Sequence, residues 1–235
     1  MHCNNWIFDM DGTLLDSMPM WRDITYEYAQ RKGIHAPEGL HRTLNRLSLE
    51  QCAEYYQGLG VPGTVEEIAQ ELSQCALEGY RTRVPEKPHA GEFLRLLQEN
   101  HIHIAVATAS NREGVLAALR RLGMLPLVEE FATCTEVGKS KEHPDVYLRC
   151  AEGFGAAPEE SVVFEDSAYA IRTAKAAGFP VVAVEDGISG DGEGRLETRE
   201  GIARLSDFYL RDYEELIQAL TPPEDLAQSL GELLG

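Results

Sequence analysis

Trp6-Ile7-Phe8-Asp9-Met10-Asp11-Gly12-Thr13 is a short apolar run that ends abruptly in two carboxylates one residue apart. Ile7 and Phe8 suit a strand buried in a parallel sheet, whose two faces are both covered. Gly12 suits the sharp exit a chain makes at the carboxyl end of such a strand. Open α/β sheets bind their ligands at that end. Two carboxylates so close at the mouth of an apolar strand repel each other unless a cation or a cationic side chain neutralises them, which points to a Mg²⁺ site. An Asp acting as nucleophile and an Asp moving a proton can share one such pocket. Asp and Gly are also ordinary turn residues, so a capped turn is the alternative for this stretch taken alone.

A chain of 235 residues with 43% apolar content can bury one full α/β core and a smaller domain. Its 39 acidic and 21 basic residues leave a formal charge of -18, which repels nucleic acid and anionic membrane surfaces. A chain this acidic that handles an anion must place its few cations locally, so the five lysines (Lys32, Lys87, Lys139, Lys141 and Lys175) carry weight. Cys3, Cys52, Cys75, Cys134 and Cys150 are scattered without metal spacing and read as reduced thiols. With no leader-like segment and no apolar run long enough to span a bilayer, the expectation is a soluble cytoplasmic protein. A monomer is compatible with the sequence.

Beyond Thr13 the pattern turns helical, with no convincing strand before residue 102. Residues 20–32 place Trp21, Ile24, Thr25 and Tyr28 on one face and stop at Gly33. Ser48-Leu49-Glu50-Gln51 and Thr64-Val65-Glu66-Glu67 have capping-box spacing and predict helices to about Gln57 and about Arg81. Val84-Pro85-Glu86-Lys87-Pro88 breaks that pattern. From Gly91 helix and strand alternate: a helix through Leu97, strands at 102–108, 131–135, 161–164 and 181–184, and helices over 112–122, from Pro144, from Ala168 and over 213–220. Such alternation means βαβ units. The predicted fold is α/β, a Rossmann-like three-layer core with a parallel sheet (1–15 and 86–221), an inserted all-α helical cap domain (16–85) and a tail (222–235) after Pro222-Pro223. Residues 186–199, rich in Gly, Asp and Glu, read as a surface loop.

Asp9-Met10-Asp11-Gly12-Thr13 resembles the first motif, DxDGT, of the haloacid dehalogenase superfamily, and three later stretches follow in that family's order. Thr108-Ala109-Ser110-Asn111 closes a strand and opens a helix, where a hydroxyl and free first-turn amides can hold phosphate oxygens. Thr108, Ala109 and Ser110 are therefore candidate phosphate ligands, and Ser110 with Glu113 has capping-box spacing, so a plain cap is the alternative. Lys141 precedes Pro144-Asp145 in the register of the third motif, which selects it over Lys139. Val162-Val163-Phe164-Glu165-Asp166 is a second apolar strand ending in acids, like the fourth motif. Asp9, Asp11 through its carbonyl and Asp166 are the candidate metal ligands, with Glu165 as an outer or alternate one. Family members often carry Gly soon after the acidic pair, where this chain has Ala168-Tyr169-Ala170.

The resemblance spans residues 9–166, with the insertion that marks helical-cap members. It implies a Mg²⁺-dependent phosphatase acting on a small phosphorylated metabolite. Asp9 would attack phosphorus to give an aspartyl phosphate, and Asp11 would protonate the leaving oxygen and then activate water. Mg²⁺, Lys141 and Thr108 would stabilise charge on the transferring group. A β-phosphoglucomutase-like sugar phosphate mutase shares all four motifs. Those mutases carry a cap histidine and a cap lysine where this chain has Trp21 and Cys75-Ala76-Leu77, although Arg46 matches their sugar-phosphate arginine. The missing His and Lys favour hydrolysis. Cap loops of this family face the pocket, which makes Trp21, Arg46, Asn45 and Tyr80 candidate specificity residues, with a core or surface place as the alternative for each. Phosphonate cleavage would need a Schiff-base lysine, for which only Lys32 at a helix end is available. Dehalogenating relatives lack the second acid. A catalytically inactive phosphate-ligand binding protein is the reading from another class, and intact Asp9, Asp11, Lys141 and Asp166 stand against it.

Overall fold

A computed structural model describes residues 4–44, 47–186 and 199–220. Asn45, Arg46, residues 187–198 of the expected loop and the 222–235 tail lie outside the described residues. Contacts divide the chain into two compact units, one within Met1–Asp16 and Pro85–Gly235 and the other within Ser17–Val84.

The Ser17–Val84 unit is helical: α1 (Met18–Arg31), α2 (Leu40–Leu44), α3 (Leu49–Gly58) and α4 (Val65–Thr82). Both expected capping boxes form, Ser48 with Gln51 and Thr64 with Glu67, and satisfy first-turn amides that would otherwise lack partners. Tyr28, Leu40, Tyr56, Val61, Ile68 and Leu72 build its core. The buried Tyr56 hydroxyl donates to the Thr25 carbonyl at 2.8 Å. Helix α2 escapes the sequence pattern because five residues are too few to repeat a 3.6-residue period.

The other unit carries β1 (Asn5–Phe8), α5 (Ala90–Glu99), β2 (His103–Thr108), α6 (Arg112–Arg121), β3 (Glu130–Thr133), α7 (Cys134–Val137) and α8 (Asp145–Gly153). Then come β4 (Ser161–Glu165), α9 (Ala168–Ala176), β5 (Val181–Val184), α10 (Arg199–Leu205), β6 (Phe208–Leu210) and α11 (Tyr213–Ala219). The strands form one parallel sheet in the order β3-β2-β1-β4-β5-β6, which is the doubly wound, Rossmann-like arrangement expected. Strand β6 and helix α10 were not predicted. Three residues at a sheet edge show no usable alternation, and Arg199, placed in the expected loop, opens α10. The third strand also begins at Glu130 and gives way to α7 at Cys134, earlier than predicted, because Thr133 caps that helix with Glu136.

Alternation along the strands sorts the two faces of the sheet. Ile7, Ala105, Val163 and Val181 pack with Val146, Tyr147 and Cys150 of α8 and Ile171 of α9. The opposite face is aromatic, with Phe8 on Phe164 at 4.4 Å between ring centroids, Trp6 on Phe93 at 5.7 Å and Phe93 on Tyr213 at 5.2 Å. Among the described residues no helix is long and apolar enough to cross a membrane. Phe93 is fully buried at the centre of the aromatic layer. Phe93→Ala is therefore expected to cost about 3–5 kcal/mol in urea unfolding, and a loss under about 1 kcal/mol would show that the layer is not a packing unit.

Candidate active site

The central strand β1 pairs with β4 so that Phe8 faces Phe164, and the Asp9 amide donates to the Phe164 carbonyl at 3.0 Å. The next residues of the two strands, Asp9 and Glu165, therefore emerge side by side at the carboxyl edge of the sheet. On the other side β2 is in register with Phe8 opposite Val106, which brings Thr108 up beside the loop that follows β1. That loop folds back on the Met10 carbonyl, which accepts from the amides of Thr13, Leu14 and Leu15 at 3.3, 3.0 and 2.8 Å. Gly12 sits at φ +85°, and a Cβ there would lie 2.6 Å from Asp166 Oδ2. Glycine thus serves the turn and the approach of the third acid at once.

Lys141 reaches this cluster from the far side. Gly138, at φ 72°, ends α7 in the left-handed conformation and turns the chain toward it. Lys139 stays at the surface, paired with Asp145 at 2.9 Å, whereas Lys141 is buried and donates to Asp9 Oδ1 and to Glu165 Oε1. The Tyr147 hydroxyl donates to the same Glu165 oxygen at 2.7 Å.

Burial dominates the electrostatics. It pushes the Asp9 carboxyl above the usual carboxylate range against the pull of Lys141, with Glu165 and Asp11 adding repulsion. It pushes Asp166 well above that range too, reinforced by Glu165, Asp9 and Asp186. For Lys141 burial works the other way and would favour the neutral amine, but Asp9 and Glu165 overcome it and hold the ammonium charged. Carboxylate oxygens of Asp9, Glu165 and Asp166 lie within 4.8 Å of one another. Three buried acids gathered around a single ammonium are the donor set that suits a hard divalent cation.

The Asp11 carboxylate is not in that group. Its Oδ2 accepts from the Ser110 hydroxyl at 2.6 Å. Thr108 is buried, and its Oγ1 accepts from the Ser110 amide at 3.0 Å, while Ala109 between them is exposed. The cap of α6 is Asn111, whose Oδ1 accepts from the amides of Glu113 and Gly114. The capping alternative for Ser110 is thereby set aside: Asn111 stands one residue nearer the helix, leaving the serine hydroxyl to the acid. Pro144 likewise occupies the cap position of α8 and not its first residue.

Trp21 belongs to the helical unit, edge-to-face on the buried Tyr80 at 6.3 Å. Lys32 pairs there with Glu71 at 2.6 Å. Arg46 and Asn45 lie outside the described residues. Tyr147 and the serine contact to Asp11 had no signal in the sequence. Neither did a buried pair at the end of β5, where Lys87 Nζ donates to Asp186 Oδ1 at 2.9 Å and to the Glu185 carbonyl at 3.2 Å. Each depends on chain segments that meet only in three dimensions.

The sequence model of the haloacid dehalogenase-like hydrolases matches residues 6–184. Hexitol phosphatase A of Escherichia coli is 31% identical over 186 residues, covering 78% of this chain and 84% of that protein. The phosphorylated carbohydrates phosphatase of Thermotoga maritima is 28% identical over 174 residues, covering 74% of this chain and 81% of that protein. The solved structure of CbbY from Rhodobacter sphaeroides in complex with phosphate shares the fold, with a TM-score of 0.75 at 20% identity over 91% of this chain and 96% of that one.

Two expectations follow from the geometry. Gly12→Ala forces Asp166 aside and strains the turn, at a cost of about 1–3 kcal/mol, and calorimetric titration with Mg²⁺ should show binding much weakened; parent-like binding would contradict the close approach. Mg²⁺ at about 100 times its dissociation constant should stabilise the parent protein by about 2.7 kcal/mol in thermal melts, since only the folded cluster gathers the acids. An unshifted melt would remove the cation from the site.

Proposed function

The chain belongs to the haloacid dehalogenase-like hydrolase family, and from that membership we propose that it is a Mg²⁺-dependent phosphatase of small phosphorylated carbohydrates. The observation that carries this reading is the buried Asp9 carboxylate, held by Lys141 beside Asp166 at the carboxyl edge of the central strand. Asp9 is the nucleophile, and its oxygen forms the bond to phosphorus as the bond to the leaving oxygen breaks. Asp11, oriented by Ser110, gives that oxygen its proton and later takes one from the water that releases phosphate. Lys141, the Thr108 hydroxyl and the amides that open α6 meet the charge on the transferring group. Asp9 and Asp166, with the Asp11 carbonyl, would hold Mg²⁺, which supplies further charge neutralisation when bound.

The names of the relatives support a phosphorylated carbohydrate as substrate. Cys52, Cys75, Cys134 and Cys150 are unpaired, which supports a reducing, cytoplasmic setting. The test is phosphate release, with and without Mg²⁺, from sugar and sugar-alcohol phosphates, nucleotides and β-glucose 1-phosphate. Release from a carbohydrate phosphate should require the metal, and Asp9→Asn should lower it by at least about 10³-fold while Mg²⁺ binding largely persists. Comparable turnover by the variant would refute the nucleophile. Conversion of β-glucose 1-phosphate to the 6-phosphate without release would make the chain a mutase.

A further inference from the structure

Glu165 is the anomalous member of the buried acidic group. Its carboxylate lies close enough to Asp9 and Asp166 to join them around one ion, yet its Oε1 accepts from Lys141 Nζ at 2.5 Å and from the Tyr147 hydroxyl at 2.7 Å. Tyr147 is fully buried on α8, with its ring 6.2 Å from that of Phe179 between centroids. Lys141 Nζ stands 5.7 Å from the centre of the Tyr147 ring, within reach of a cation–π attraction. The tyrosine therefore holds both partners of the Lys141–Glu165 pair, the acid through its hydroxyl and the ammonium through its ring. A buried hydroxyl bonded to a carboxylate is a strong, charge-assisted contact that is costly to break.

We propose that Tyr147 is a positioning residue that commits Glu165 to Lys141 and withholds it from the metal, so that the site selects a small octahedral cation. The proposal rests on the metal reading above. Mg²⁺ needs near-ideal octahedral geometry and is held by one or two carboxylates with several waters, whereas Ca²⁺ accepts six to eight oxygens in flexible arrangements. With Lys141 and Tyr147 on Oε1 and the Ser167 amide donating to Oε2 at 3.4 Å, both oxygens of the acid are turned to protein partners. Without the phenolic hydrogen bond Glu165 can swing toward Asp9 and Asp166, adding a ligand and a negative charge that favour the larger ion. The same movement slackens the second anchor of Lys141 and weakens its hold on charge in the transition state.

The test compares Mg²⁺ and Ca²⁺ binding by calorimetry in the parent protein, Tyr147→Phe, Glu165→Gln and the double variant, with steady-state kinetics in Mg²⁺ alongside. Outer partners of metal ligands are worth about 10–100-fold, so Tyr147→Phe should move the ratio of affinities about tenfold toward Ca²⁺ and lower kcat about tenfold, with KM changed less than about twofold. The double variant should return the ratio to that of the parent. An unchanged ratio in a folded Tyr147→Phe protein overturns the proposal, as does failure of the double variant to restore it. Glu165→Gln alone should leave the ratio unchanged. A large shift there would make Glu165 a ligand already and overturn the proposal even if Tyr147→Phe does not fold. A parent protein that binds no Mg²⁺ would overturn the metal reading itself, an outcome separate from a change in selectivity.

Discussion

Like charges buried together need a counter-charge fixed in place, and that requirement governs the carboxyl edge of this sheet. Register alone sets Asp9 beside Glu165, and the missing Cβ of Gly12 lets Asp166 close in. Such a group would be held together badly by the sheet alone, because each carboxylate loses hydration on burial and gains only repulsion from its neighbours. Lys141 is the one cation that the described residues bring into direct contact with Asp9 and Glu165. The short α7, the left-handed Gly138 and Tyr147 in the first turn of α8 are the means by which a single flexible side chain is held in one direction.

The two faces of the sheet divide the work. The aromatic side is dense and ties itself to the loop after β1, where the Tyr213 hydroxyl donates to the Thr13 carbonyl at 3.3 Å. The other side, built of Ala, Val and Ile with α8 and α9, is where polar chemistry enters the interior through Tyr147 and Lys141.

Much of the architecture was legible because it depends on local periodicity. The capping boxes at Ser48 and Thr64, the apolar runs of β1 and β4 and the strand-to-helix junction after Thr108 are patterns a short window contains. What escaped reading was either too short to repeat, such as β6 and α2, or distributed over distant segments. Tyr147 looks like any core aromatic on an amphipathic helix. Only the meeting of α8 with the end of β4 gives its hydroxyl a carboxylate to hold. Ser110 and Asn111 show the same limit at close range, since two adjacent capping types compete and backbone geometry alone decides which one turns inward.

Asp16 donates its amide to the Pro85 carbonyl at 3.0 Å, and Leu15 bridges Glu86 in antiparallel fashion. The chain therefore leaves and re-enters the sheet-bearing unit at neighbouring points, in the geometry of the two stems of a hairpin. Lys87 secures the returning stem from below, through its amide to Leu14 and its side chain to Asp186. Stems paired in this way can be closed by chain of very different lengths. A tight turn can close the stems with little loss of chain entropy, and so can a long domain, because closure cost grows only logarithmically with length. The acids and Lys141 all lie within the sheet-bearing unit, on the near side of both stems, so the chain that supports them is continuous without any residue from Ser17 to Val84.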